Sequence, residues 1–222
     1  MRKSSLEITF EKFFDQISFY RDLLTKIKHT DKISYDNPEV IKSLKTTGID
    51  LREKKEVFEA LFLKIYVTWE ILVEELLIDC LNRDISQYAT HKETTFPKHL
   101  PRSVCKALIT GLRYFDVRSV GEIQKISRQI LIDRYNPFKS IDEPSKKRIN
   151  ETYIIRRYLA HYSDQAKREL RRLYKDKYNL KHFRQPGDFL FAFDKETKQI
   201  RLANYINAFI NAADAMAKFL SV

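Results

Sequence analysis

Arg156 and His161 are the residues whose types and spacing most directly suggest chemistry, and four residues separate them. Histidine titrates close to neutral pH and can act as an acid or as a base. Arginine keeps its positive charge and can bind phosphate oxygens through two of its N–H groups. The pair therefore predicts proton transfer beside a phosphate group, a chemistry that needs no metal ion.

The pair lies within a long helical pattern that runs from an N-cap at Ser145 to about Tyr178. Its apolar stripe is predicted to consist of Ile155, Leu159, Tyr162, Ala166, Leu170 and Leu173. Arg157 and His161 point away from this stripe, whereas Arg156 lies on its flank and can lay its alkyl stem along apolar surface. The side of the helix that carries His161 also carries Asn150, Arg168 and Arg172.

At these residues the sequence resembles the HEPN family of all-helical domains, whose signature is an arginine, a short spacer and a histidine on a late helix. Arg156, four intervening residues and His161 fit the shortest form of that signature. The segment around Trp69 and Glu70 resembles the early helix of these domains. Pro186-Gly187-Asp188 resembles the turn that follows the signature helix in some branches.

The resemblance implies a metal-independent RNA endonuclease in a prokaryotic toxin–antitoxin or antiviral defence system. RNA carries its own nucleophile, the 2′-hydroxyl, so cleavage requires a proton acceptor, a proton donor and a cation beside the phosphate. His161 would perform the acid–base chemistry and Arg156 would stabilise the phosphate. HEPN nucleases pair their signature helices across a twofold axis, which implies a homodimer with RNA as its partner.

Further site residues are predicted around this pair. The RNA-binding group consists of Arg157, Tyr158, Asn150, Arg168 and Arg172. For Tyr158, stacking on an unpaired base and packing in the core are both open, whereas Tyr162 falls on the apolar stripe and is predicted to pack. Glu70 and Glu74 lie one helical turn apart and either orient the signature arginines or form a solvated pair.

Arg157 departs from the HEPN pattern, because the residue after the signature arginine is commonly small and polar in that family. This departure keeps an alternative open, a catalytically inactive HEPN-like module that binds RNA or another protein. The partner would then be an antitoxin or another defence-system protein. A third interpretation is a structural helical dimer whose basic face binds an acidic partner.

Charge and composition agree with a polyanionic partner. The 222 residues carry a net charge of +11, and Lys146 to Lys177 contains eleven lysines and arginines against four acidic residues. Cys80 and Cys105 are widely separated and are predicted to be reduced, packed thiols of a cytoplasmic protein. No pattern typical of a cofactor, a metal site, a secretion signal or a membrane span is found.

The fold class predicted from these patterns is all-α, a single helical-bundle domain over residues 1–222 with room for one small β-hairpin near the C-terminus. The hairpin is predicted from Phe189–Phe193 and Gln199–Leu202. The predicted helices are Leu6–His29, Glu39–Leu44, Leu51–Tyr88, Arg102–Leu112, Val120–Asp133, the signature helix and Ala203–Leu220.

Overall fold

The computed structural model describes residues 4–29, 51–97, 99–111 and 118–221. Within these ranges the chain forms nine α-helices, two short 3-10 turns and one antiparallel hairpin, which confirms the all-α prediction. The helices are α1 (Ser5–His29), α2 (Leu51–Arg83), α3 (Ser86–His91), α4 (Arg102–Thr110), α5 (Val120–Ile130), α6 (Glu143–His161), α7 (Asp164–Tyr178), α8 (Pro186–Phe191) and α9 (Arg201–Leu220). The 3-10 turns are Asp133–Tyr135 and Pro137–Ser140, and the strands are β1 (Phe193–Asp194) and β2 (Gln199–Ile200).

Helix α2 is the central element, and it packs against α1, α4, α6, α8 and α9. Apolar residues surround much of this helix instead of forming one narrow stripe, as expected for a helix with neighbours on several sides. Trp69 is fully buried and contacts Phe13 of α1 and Phe209 of α9, with ring centroids 6.5 and 5.3 Å apart. These contacts join three helices into one hydrophobic core.

The prediction of one long signature helix is wrong, because α6 ends at His161 and α7 begins at Asp164. Tyr162 adopts a left-handed conformation with φ 47°, and the Ser163 hydroxyl accepts a hydrogen bond from the Ala166 N–H and caps α7. Helix α6 also begins earlier than predicted, since its N-cap is Asp142 and not Ser145.

Helices α6 and α7 run antiparallel as a helical hairpin. Near its turn, Arg157 Nη1 lies 2.6 Å from Glu169 Oε2, and at its open end Arg148 Nη1 donates to the Tyr178 hydroxyl at 2.7 Å. The chain direction therefore reverses at Tyr162 and Ser163. Residues after the turn lie on a different helix from His161, whatever their spacing in sequence.

Most other elements agree with their predicted ranges. The C-terminal β-hairpin is present with Phe193 opposite Ile200, although Phe189 belongs to α8 and not to a strand. The long early helix ends at Arg83 instead of Tyr88, where Asp84 accepts a hydrogen bond from the Ser86 N–H at 2.9 Å. The predicted helix Glu39–Leu44 lies outside the described residues.

Cys80 and Cys105 are both free and buried, and burial raises the pKa of the Cys80 thiol to about 12. This arrangement confirms that the two thiols are packed and unpaired. None of the helices in the described ranges combines the length and the apolarity that crossing a membrane would require.

Gly187 allows α8 to approach α2 closely. A Cβ atom at this position would lie 2.7 Å from both Cβ and the carbonyl oxygen of Lys55. The Gly187 N–H donates to Glu59 Oε1 at 2.6 Å, and Lys55 Nζ binds Asp188 Oδ1 at 2.6 Å. The Pro-Gly-Asp turn therefore fixes α8 against the first half of α2.

Gly187→Ala should destabilise the fold by about 2 kcal/mol, because the added methyl group forces the backbones of α8 and α2 apart. Urea unfolding measures this change. Gly121→Ala is the matched control, since a Cβ there meets only the Ser119 hydroxyl oxygen at 3.7 Å. That change in α5 should be neutral or slightly stabilising, and equal stability of the two variants would contradict the close-packing account.

Candidate active site

His161 is the last residue of α6, and its side chain is exposed beside the turn into α7. Within the described ranges its imidazole makes no hydrogen bond or ion pair. A histidine without such contacts has both ring nitrogens accessible to a substrate. The structure therefore places the predicted acid–base residue at an open, solvent-facing position.

Arg156 is half-buried, and its guanidinium lies 5.9 Å from the ring centroid of Tyr66 on α2. The ring is almost fully buried, so α2 provides a fixed aromatic surface beneath the charge. This contact agrees with the predicted position of Arg156 on the flank of the apolar stripe. This contact of Tyr66, which lies one helical turn before Glu70, was not predicted from the sequence.

Arg157 and Asn150 are both engaged in contacts within the fold. Arg157 binds Glu169 across the helical hairpin, so its charge is already paired. The Asn150 Oδ1 atom accepts a hydrogen bond from the Val120 N–H at 2.9 Å and thereby holds the first turn of α5. The structure gives both of these predicted RNA-binding residues a role in stabilising the fold.

Of the two alternatives for Tyr158, packing in the core is confirmed, whereas the prediction that Tyr162 packs is wrong. Tyr158 is only 5% exposed, packs against Phe183 and donates a 3.4 Å hydrogen bond to Gln185 Oε1. Tyr162 is 64% exposed, because its left-handed conformation turns it out of the helix instead of into the core. An open aromatic ring therefore lies next to His161, but it belongs to Tyr162 and not to Tyr158.

Glu59 is a further acidic group near this end of α6. It is half-buried on α2, and burial raises the pKa of its carboxyl group, while the hydrogen bond from the Gly187 N–H opposes that rise. Burial also raises the pKa of the Tyr158 hydroxyl, and the negative charge of Glu59 adds to this effect. The sequence gives little indication that Glu59 lies near the signature helix, because this placement depends on the Pro-Gly-Asp turn that packs onto α2.

Arg168 and Arg172 are exposed on α7, and neither has an ion-pair partner in the described part of the chain. Their spacing of seven and eleven residues from His161 was the reason to place them on its side of a continuous helix. The turn at Tyr162 removes that reason, because α7 runs back along α6. What remains is a basic, solvent-facing surface on α7.

Glu74 Oε1 lies 3.2 Å from Nζ of Lys106 on α4, so its carboxylate is paired with a residue outside the signature helix. The next residue on α2, Glu75, binds Arg102, which also belongs to α4. Glu70 is half-buried on α2, four residues after Tyr66 and on the same helical face. Across the described residues, no three His, Cys, Asp or Glu side chains form a cluster that could hold a metal ion.

Comparison with protein-family models, curated proteins and solved structures finds no match for this chain. The end of α6 and the residue after it carry the exposed imidazole of His161, the exposed ring of Tyr162 and the guanidinium of Arg156 against Tyr66. Helix α7 adds Arg168 and Arg172, which form no ion pair with any described residue.

Proposed function

We propose that this chain is a metal-independent RNA endonuclease of the HEPN type. His161 would transfer protons and Arg156 would stabilise the scissile phosphate. The observation that carries the proposal is the accessible His161 imidazole at the end of α6, five residues after Arg156. A prokaryotic toxin–antitoxin or antiviral defence system in the cytoplasm would be its setting, as the sequence resemblance implies.

The reaction uses only groups that RNA and these side chains supply. A base removes the proton of a 2′-hydroxyl, and the 2′-oxygen then forms a bond to the adjacent phosphorus. The bond from phosphorus to the 5′-oxygen breaks, and an acid protonates that oxygen as it leaves. The products are a 2′,3′-cyclic phosphate and a 5′-hydroxyl. Arg156 would stabilise the additional negative charge on the phosphate oxygens in the transition state.

A homodimer would supply both proton-transfer groups. One chain contributes a single His161, whereas the reaction needs a proton acceptor and a proton donor at the same phosphate. The imidazole lies at the exposed turn of the α6–α7 hairpin, where a second copy can approach across a twofold axis. Arg168, Arg172 and Tyr162 are exposed on the same hairpin and would bind the flanking phosphates and an unpaired base.

The second candidate is a catalytically inactive HEPN-like module that binds RNA or an acidic protein such as an antitoxin. One observation favours it. Arg157 replaces the small polar residue that is common after the signature arginine, and its charge is paired with Glu169. The exposed arginines of α7 would suffice for binding without chemistry.

A subunit-mixing experiment tests cleavage and its dependence on a shared site. The purified chain should cleave single-stranded RNA, and excess His161→Ala chain should reduce the activity of a fixed amount of parent chain severalfold. The reason is that mixed dimers hold only one imidazole in each shared site. RNA is kept in molar excess over total protein, so that competition for substrate does not contribute. Unchanged activity would contradict a shared site, and absence of cleavage by the parent dimer would favour the binding module.

A further inference from the structure

A cleft of about 630 Å³, lined mainly by charged residues, lies at the open end of the α6–α7 hairpin. The start of α6, the end of α7, the β-hairpin and the first residue of α9 surround it. Its volume falls within the range of about 300–1,000 Å³ that is typical of small-molecule sites. The cleft is therefore large enough for a ligand of the size of a nucleotide.

A buried hydrogen-bonded network forms one wall of the cleft. Glu151 Oε2 accepts hydrogen bonds from the hydroxyl groups of Tyr178 at 2.6 Å and Tyr205 at 3.0 Å. Arg148 Nη1 donates to the Tyr178 oxygen at 2.7 Å and lies 3.7 Å from Glu151. Burial raises the pKa of both tyrosines, so their hydroxyl groups remain protonated as donors at neutral pH. The acidic charge of Glu151 is thereby satisfied within the fold.

Asp194, a second acidic group of the cleft, is also engaged. It accepts hydrogen bonds from the Glu196 N–H at 3.0 Å and from Asn204 Nδ2 at 3.0 Å, and these bonds stabilise the β-hairpin. Arg148 Nη2 lies 3.9 Å from the same carboxylate. Two of the three acidic groups of the cleft, Glu151 and Asp194, therefore already have partners, and this reduces their repulsion of an anion. The third, Glu196, is exposed to solvent.

Several cations of the cleft have no such partner. Lys147 and Lys177 are exposed at its rim, and neither forms an ion pair in the described ranges. Arg201 lies deeper, with its guanidinium 5.0 Å from the ring centroid of Tyr178 and 4.5 Å from that of Phe189. Its Nη1 atom donates to the Phe189 carbonyl oxygen at 3.4 Å, whereas its Nε atom is buried and finds no hydrogen-bond acceptor among the described residues. A buried donor without an acceptor is costly unless a ligand or water occupies the position.

Phe193 provides an aromatic surface beside these cations. It belongs to β1, lines the cleft and is 60% exposed, which is unusual for a large apolar ring. Exposed aromatic rings beside lysine and arginine side chains are typical of surfaces that stack a base and bind its phosphate. The arrangement combines the two kinds of contact that a nucleotide requires.

We propose that this cleft binds a nucleoside phosphate, with the phosphate between Lys147, Lys177 and Arg201 and the base against Phe193. The nucleotide is either free or part of an RNA strand, since both present the same chemistry. His161 lies thirteen positions after Arg148 on α6, or about 20 Å along the helix. The cleft is therefore distinct from the proposed nuclease site and does not depend on it.

Calorimetric titration of the full chain with AMP, adenosine and inorganic phosphate tests the proposal. AMP should bind at least tenfold more tightly than either fragment, because only AMP uses both halves of the cleft. The double variant Lys147→Glu/Lys177→Glu should weaken AMP binding at least tenfold, and Phe193→Ala should weaken AMP binding without affecting phosphate. Lys125→Glu/Lys175→Glu makes the same charge change outside the cleft, and it should bind AMP as the parent does.

A six-nucleotide RNA, titrated into the His161→Ala chain to prevent cleavage, distinguishes the two sources of the nucleotide. Tighter binding than AMP, lost in the same cleft variants, would identify a strand as the ligand. RNA binding that is equal to or weaker than AMP binding, with AMP binding lost in the cleft variants, would identify a free nucleotide as the ligand. AMP and RNA affinities that are unchanged in the cleft variants would overturn the proposal, as would the absence of binding to the parent cleft. His161→Ala alone should bind AMP like the parent, even if the nuclease proposal fails.

Discussion

Replacing His161 by alanine is expected to lower the single-turnover rate of RNA cleavage about a thousandfold. The side chain is exposed at the end of α6 and has no hydrogen-bond or ion-pair partner in the described part of the chain. Its removal therefore deletes a proton-transfer group without opening a cavity or leaving a buried group unpaired. The melting temperature and the affinity for RNA should remain close to those of the parent chain.

His182→Ala is the matched control, because His182 is also exposed but lies beyond the end of α7. It should cleave RNA at the parent rate. Arg156→Ala should also lose cleavage, together with some stability from its contact with Tyr66. If His161→Ala cleaves RNA as rapidly as the parent chain, the nuclease proposal fails and the binding module takes its place.

Glu151→Ala should lower the free energy of unfolding by about 3 kcal/mol. Glu151 is 8% exposed and accepts hydrogen bonds from the hydroxyl groups of half-buried Tyr178 and buried Tyr205. Alanine would leave both donors without this acceptor and would remove the nearest carboxylate from Arg148. Urea unfolding of the full chain measures the loss.

Two variants serve as controls for Glu151→Ala. Glu151→Gln keeps an acceptor oxygen and should cost less than Glu151→Ala. Glu143→Ala removes an exposed carboxylate from the same helix, where Lys146 is its one ion-pair partner among the described residues, and should change stability by about 0.5 kcal/mol or less. A Glu151→Ala variant as stable as Glu143→Ala would show that the buried network contributes little to the fold.

The periodicity of apolar residues was sufficient to predict the fold class and most helices. Helix α2 is an example, because its long apolar pattern packs against several neighbours and Trp69 lies at its centre. The break between α6 and α7 was missed because the apolar stripe continues through it. The local signal was Ser163 followed by Asp164, a typical helix start, and a cap of this kind outweighed the continuous pattern.

The site was predictable only where it depends on a single helix. The exposure of His161 and the flanking position of Arg156 follow from their angles on α6. The partners of Arg157 and Asn150 come from α7 and α5, and no periodicity within one helix specifies such contacts. The cleft could not be predicted for the same reason, because Glu151, Tyr178 and Tyr205 come from three different helices.

The chemical nature of the cleaved ends tests the central claim most directly. The parent chain is incubated with a single-stranded RNA in excess EDTA, and the fragments are analysed by mass spectrometry. Cleavage should persist in EDTA and leave 2′,3′-cyclic phosphate or 3′-phosphate ends opposite 5′-hydroxyl ends, since the 2′-oxygen is the nucleophile. Cleavage that EDTA abolishes and magnesium restores, with 5′-phosphate and 3′-hydroxyl ends, would contradict that claim.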